Sequence, residues 1–309
     1  MCVPMSWRPD VPNPHVPEWM HEDSKGQIRY AFSWCFANKC RALCPYCFAG
    51  GKEKSRLPLP RTWVEKQALL AWRHVFEWHG PCQVLLGGLE PAEDLELVGA
   101  IALYHYLLLV TNFMFDAETL ARWVPGNKIE IHPSFHAHLW HYDIDKLLEK
   151  VALLKGWGYR VPFVSIVGYP PYLPHLDDWC EAIKSAGMWA NVAPMRDAEY
   201  QGKAYPESYT EEEAAILARH TFGWIYAEDG KLRPLNVKAC AAGHVFAWIQ
   251  PDGAIWRCGH LPGSMGDQNL FRDLRVKWLD GPKPCDQRIC GCTNLHVFHV
   301  TEEGSGEGS

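Results

Sequence analysis

The stretch NKCRALCPYCFAGG, residues 38–51, sets Cys40, Cys44 and Cys47 at the spacing C-x3-C-x2-C, with Tyr46 directly before the last thiol. Upstream of it, IRYAFSWC (28–35) has the apolar and aromatic character of a strand. The chain therefore runs off a strand end straight into a loop dense in thiols.

From there to residue 195, strand-like and helix-like runs alternate. VLLGG (84–88), LLLVTN (107–112), KIEIH (128–132), VPFVSIVG (161–168) and WANVAP (189–194) read as five further strands. A helix is expected from Thr62, where T-W-V-E forms a capping box, to Gly80-Pro81. Others are expected over about 92–105 and near 116–123. Ile144, Leu147, Leu148, Val151 and Leu154 stand at helical spacing, and so do Leu176, Trp179, Cys180 and Ile183, which puts Cys180 in the core. Six βα units in a row imply a parallel sheet with right-handed crossovers. Ligands in such folds gather at the carboxyl ends of the strands, where the cysteine loop lies.

Composition narrows the classes. Of 309 residues 48% are apolar and 21% charged, which suits a core-forming chain. A net charge of −6 without a basic run gives no electrostatic case for nucleic acid or an anionic membrane. The greasy stretch LVGAIALYHYLLLV (97–110) is too short to span a bilayer and carries His105, so it reads as a buried helix entering a strand. The proline-broken start has no apolar signal segment, and a cytoplasmic location is expected. Twelve cysteines in that reducing setting are not a disulfide framework. Three sit in the loop, five between 240 and 292, and Cys2, Cys35, Cys82 and Cys180 are scattered, so the clusters point to metal.

Three thiolates are an incomplete set for zinc, which needs four ligands, and the loop offers no fourth. A [4Fe–4S] cube held by three thiolates keeps one iron open for a substrate or cosubstrate. C-x3-C-x-Y-C after the first strand of a βα chain resembles the radical S-adenosylmethionine (SAM) superfamily. GGLEP (87–91), ending the second strand, resembles its glycine-glycine-glutamate motif with one residue inserted before Glu90. The resemblance implies a partial (β/α)6 TIM-like barrel over 27–195, with the methionine group of SAM on the open iron. It assigns Tyr46 to the adenine, Gly87, Gly88 and Glu90 to the methionine end, and Ser134, His136, Gly168 and Asn191 to further SAM contacts. It also implies reductive cleavage of SAM to a 5′-deoxyadenosyl radical, with a flavodoxin or ferredoxin as reductant.

Beyond a connecting region (196–239), irregular apart from a helix after Thr210, the βα rhythm stops. VFAWIQPDGAIWRC (245–258) reads as a hairpin around Pro-Asp-Gly, with Cys240 and Cys258 at its ends. PCDQRICGC adds Cys285, Cys290 and Cys292. Spacing alone also permits a zinc ribbon. The pattern resembles the SPASM/twitch extension of the superfamily, which implies an auxiliary [4Fe–4S] cluster in a small domain, 240–300, with one of the last three thiols spare. Residues 1–26 read as an extension and 301–309 as a flexible tail.

IHPSFHAHLWH puts His132, His136, His138 and His141 after strand four, where they suit substrate or SAM contact, plain surface or a metal. Arg196 and YQGKAYP (200–206) suit the cleft wall or a covering loop. The expected activity is oxidative modification of a peptide or natural product. A sugar or aminocyclitol dehydrogenase, and a non-catalytic zinc or iron–sulfur scaffold, are the alternatives. A peptide substrate would need a separate recognition protein or leaderless binding.

Overall fold

Each strand expected over 27–195 forms, and each crossover returns the chain to the same edge of a growing sheet. The computed structural model describes residues 28–36, 40–47, 61–196, 198–221, 239–259, 261–285 and 299–300. The barrel strands are β1 (Ala31–Phe36), β2 (Gln83–Gly88), β3 (Tyr106–Thr111), β4 (Ile129–Phe135), β5 (Phe163–Gly168) and β6 (Trp189–Pro194). They lie in sequential order, all parallel. The connecting helices are α1 (Arg61–His79), α2 (Leu95–Ala102), α3 (Ala117–Trp123), α4 (Ile144–Gly156) and α5 (Leu176–Ser185).

With crossovers of the usual right hand, an order that never reverses leaves every helix on one face. Strand periodicity then sorts the side chains. Val84, Leu86, Leu107, Leu109, Ile131, Val164 and Ile166 are fully buried towards the helices. Their neighbours of opposite parity, among them Leu85, Val110, Ser134, Ser165 and Asn191, remain half-exposed on the other face.

Helix starts are fixed by short acids. Asp94, Asp116 and Asp143 each accept a hydrogen bond from a backbone N–H in the first turn of α2, α3 and α4. Two boundaries differ from expectation. The helix at 92–105 becomes a 3₁₀ turn, Pro91–Asp94, followed by α2, because Asp94 recaps the chain at Leu97. Thr62 lies inside α1, which begins one residue earlier. His105 is a satisfied core histidine: Nδ1 accepts from the Cys82 N–H at 3.2 Å and Nε2 donates to the Trp72 carbonyl at 2.8 Å. Burial holds its pKa down to about 4. Cys180 is buried in α5 as expected.

The stretch expected to be irregular contains a hairpin, β7 (Ala198–Tyr200) with β8 (Lys203–Tyr205). Its two central residues, Gln201 and Gly202, both have positive φ, the two-residue turn that matches strand twist. Helix α6 (Glu211–Ala218) has the capping box at Thr210 and Glu213.

The later hairpin forms too, but not apart from the barrel. β10 (Phe246–Ile249) pairs in parallel with β1, Ala31 opposite Phe246 through Trp34 opposite Ile249, and β11 (Ile255–Trp256) returns antiparallel to β10. Together they extend the six strands to an eight-stranded sheet. Short strands β9 (Ala239–Cys240) and β12 (His299–Val300) pair with each other. Helix α7 (Leu270–Asp273) packs on α1. Among the described residues no helix is long and apolar enough to cross a membrane.

Gly99 marks the tightest contact between α2 and α3. A Cβ there would lie 2.4 Å from the Trp123 carbonyl oxygen, a backbone atom that cannot swing away. Gly99→Ala should therefore cost about 1–3 kcal/mol despite its better helix propensity. A urea midpoint equal to or above that of the wild type would show that the two helices are not packed in this way.

Candidate active site

Strand β1 ends in the cysteine loop. A turn closed by the Cys47 N–H on the Cys44 carbonyl, 3.1 Å, brings the second and third cysteines together. Cys44 is 9% exposed, while Cys40 and Cys47 are half-buried. Burial, and then the neighbouring Cys40 and Cys47, push the Cys44 thiol up to about 12. Three soft donors so close together favour a positively charged partner that takes sulfur. Among the described residues, no three His, Cys, Asp or Glu side chains close on one point as they would around a lone ion. The donor set is all sulfur and suits an iron–sulfur group.

A wall of rings backs the loop. Tyr46 is buried against Tyr169, Tyr172 and His136, with ring centroids 4.9, 5.6 and 5.8 Å away. Its hydroxyl donates to His136 Nδ1 at 2.7 Å, and Cys44 Sγ lies 3.4 Å from the same nitrogen. Burial, with His138 nearby, holds the His136 pKa down to about 4, so the ring is a neutral acceptor at pH 7. His138 is a strut. It bridges the Tyr172 hydroxyl at 2.8 Å and the Ala42 carbonyl at 3.1 Å, tying the cysteine loop to the end of β4.

The four histidines do not form one cluster. His136 and His138 reach the ring wall at a 3₁₀ turn, Ala137–Leu139. His132 is buried on β4, 2.7 Å from Glu130, and Glu130 also meets Arg160 at 3.2 Å. His141 sits at an exposed positive-φ turn.

At the end of β2, Gly88 has φ of 106°, a conformation that a side chain would strain. Gly87 is buried and pairs in register with Cys35 of β1, two residues before the loop region. Glu90 does something the sequence does not suggest. It is 3% exposed, and both its oxygens are taken by the Thr111 hydroxyl at 2.6 Å, the Asn112 N–H at 2.6 Å and the Ala92 N–H at 3.0 Å. It clamps the end of β2 to the end of β3. The clamp presents Asn112, whose Nδ2 lies 3.8 Å from Cys40 Sγ.

Ser134, Ser165 and Asn191 lie in one row across β4, β5 and β6, and the Asn191 amide donates to Ser165 Oγ at 3.0 Å. Gly168 is accounted for by packing. A Cβ there would meet Leu217 at 2.4 Å, and its carbonyl accepts from the Tyr209 hydroxyl at 2.6 Å. The β7–β8 hairpin packs Tyr200 edge-on against Tyr169 at 5.0 Å. Asn112, Tyr169 and Tyr172 stand beside the loop in addition to the residues expected from the sequence. Thr-Asn at the carboxyl end of a parallel strand was the available signal.

The second cysteine set also gathers. Cys240 and Cys258 are buried in one small cluster with Ala241, Ala242, Val245 and Phe246, and Cys285 packs against it. Burial pushes the Cys240 thiol up to about 11, and the nearby Cys285 and Cys258 add to the rise. Cys290 and Cys292 lie outside the described residues.

No family model and no curated protein matches the sequence. Solved structures do match in fold. The structure described as native anSMEcpe with bound AdoMet and Cp18Cys peptide aligns with a TM-score of 0.52 at 16% identity, over 79% of this chain and 78% of that one. A histidine-tagged anSMEcpe with bound AdoMet gives 0.53 at 15% identity, over 78% and 75%. The complex of native anSMEcpe with AdoMet and Kp18Cys peptide gives 0.53 at 16% identity, over 79% and 78%. The protein shares their fold.

Burial raises the Glu90 pKa to about 7, against three hydrogen bonds that lower it. The folded protein therefore binds this proton more tightly than the unfolded chain. Stability from this group is full below about pH 4.5 and falls as pH rises towards 7. Glu90→Gln removes the titration. Across pH 5–7 the stability difference should move in favour of the variant by up to about 1.4 kcal/mol per pH unit. Parallel pH profiles in urea denaturation would show that the carboxyl is ionised throughout.

Proposed function

We propose that this protein is a radical SAM enzyme with an auxiliary iron–sulfur cluster, an oxidoreductase that modifies a peptide or peptide-like natural product. The observation that carries this reading is the loop of Cys40, Cys44 and Cys47 placed directly after the carboxyl end of β1 in a six-stranded parallel sheet. The same fold in other proteins is found with AdoMet bound.

Cys40, Cys44 and Cys47 would hold a [4Fe–4S] cube, with SAM on its open iron. So held, the group would supply one-electron chemistry from a donor such as flavodoxin or ferredoxin, namely reductive cleavage of SAM for removal of hydrogen from a substrate carbon. The chain's own contribution is positional. Gly87 and Gly88 let the backbone come close to the methionine end. Glu90 acts by holding Asn112 and the rim in place. The rings of Tyr46, Tyr169 and Tyr172 keep water from the loop, and the neutral His136 orients Tyr46.

Cys240, Cys258 and Cys285 would hold the auxiliary cube of a SPASM/twitch-like segment, with a fourth ligand from Cys290 or Cys292. The peptide reading is supported by the peptides bound in two of the structures of like fold.

Metal content tests the two thiol sets. Anaerobically reconstituted protein should bind about eight iron and eight sulfide atoms, and the Cys40, Cys44, Cys47→Ala variant about four. Stoichiometric zinc without a brown chromophore would replace this reading with that of a metal scaffold.

Turnover tests the chemistry. Dithionite-reduced protein should form 5′-deoxyadenosine from SAM slowly without substrate, and Cys44→Ala should form none above background. With a C-deuterated substrate, the label should appear in 5′-deoxyadenosine. Fully iron-loaded protein that yields no 5′-deoxyadenosine is not an enzyme of this class.

A further inference from the structure

Arg257, directly before Cys258, is 9% exposed. Among the described residues its guanidinium bonds to backbone carbonyls alone: Nε to Ala242 at 3.0 Å, Nη1 to Pro284 at 3.2 Å, and Nη2 to Cys240 at 3.3 Å and Lys283 at 3.1 Å. Those acceptors lie on the segments that carry Cys240 and Cys285, and Arg257 itself adjoins Cys258. Gly243 leaves room for the stem, since a Cβ there would sit 2.7 Å from Arg257 Cγ. Among the described residues no carboxylate pairs with this cation.

A buried cation without an anion is costly, because carbonyl dipoles replace only part of its hydration. The position is therefore built for a negative group that the side chains shown do not supply. A cube held by four thiolates carries net negative charge, and each electron it accepts adds one more. A fixed cation beside it stabilises the reduced form more than the oxidised form and raises its potential.

We infer that Arg257 is the internal counter-charge of the auxiliary cluster, fixing its three cysteine segments and making the cluster easier to reduce than it would be without that charge. This inference rests on the auxiliary-cluster reading given above. Arg257 is a positioning residue, since it acts on the substrate only through the cluster.

The test uses the full-length Cys40, Cys44, Cys47→Ala protein, reconstituted anaerobically, so that only the auxiliary cluster is titrated by electron paramagnetic resonance. Arg257→Gln keeps some hydrogen bonds but no charge. At fixed potential it should raise the oxidised-to-reduced ratio at least tenfold, equivalent to about 59 mV for one electron. Arg257→Lys should stay within threefold of the parent. An iron-loaded Arg257→Gln with an unchanged midpoint would overturn the inference and leave the cluster reading intact.

If Arg257→Gln holds no iron, Arg257→Lys decides. Iron retained with the parent midpoint supports the charge. Iron lost there as well means that the four-carbonyl fork matters only as a staple, and the inference fails. A parent that binds no iron would instead overturn the auxiliary-cluster reading itself.

Discussion

Strand β1 hydrogen-bonds in parallel on both edges, to β2 on one side and to β10 on the other. Everything chemical in the chain hangs from that arrangement. The first cysteine loop leaves the carboxyl end of β1, while β10 and its return strand β11 lie between Cys240 and Cys258. Residues more than two hundred positions apart are thus joined by one ladder, Ala31 to Trp34 against Phe246 to Ile249. An apolar strand such as FAWI has no exposed role, and an open edge on β1 would be a site for unwanted pairing. Closing that edge with β10 meets both requirements.

A buried carboxyl and a buried guanidinium hold irregular backbone on either side of β1. Glu90 gathers two backbone N–H donors and one hydroxyl where β2 and β3 end. Arg257 gathers four carbonyls where the segments of Cys240, Cys258 and Cys285 meet. Each does for irregular backbone what a ladder does for a strand, satisfying polar groups that would otherwise be stranded away from water. Both are long side chains whose several polar atoms reach several segments at once.

Around the first loop several polar contacts run through rings. Tyr46 is bonded to His136, and His138 joins Tyr172 to the Ala42 carbonyl between Cys40 and Cys44. Rings stiffen a thiol-bearing loop at small entropic cost, since each has only two side-chain torsions to fix. They also add to the burial of Cys44, which together with the neighbouring Cys40 and Cys47 pushes its thiol up.

Local patterns determined a good deal. Apolar runs and helical spacing gave the six strands, the α4 and α5 faces and the burial of Cys180, because periodicity reports which face meets the core. The spacing of Cys40, Cys44 and Cys47 marked the rim, and Thr210 with Glu213 marked a helix start, because both depend on atoms a few residues apart. The Gln201-Gly202 turn was equally local, yet its two short strands carry too little alternation to stand out. What only the tertiary structure decided were the meetings of distant segments: β10 against β1, Glu90 turned to Thr111 and Asn112, His138 to Ala42, and Arg257 among the carbonyls of the cysteine segments. A carboxylate, an imidazole or a guanidinium takes whichever partners the packed backbone brings within reach, and no local pattern encodes which those will be.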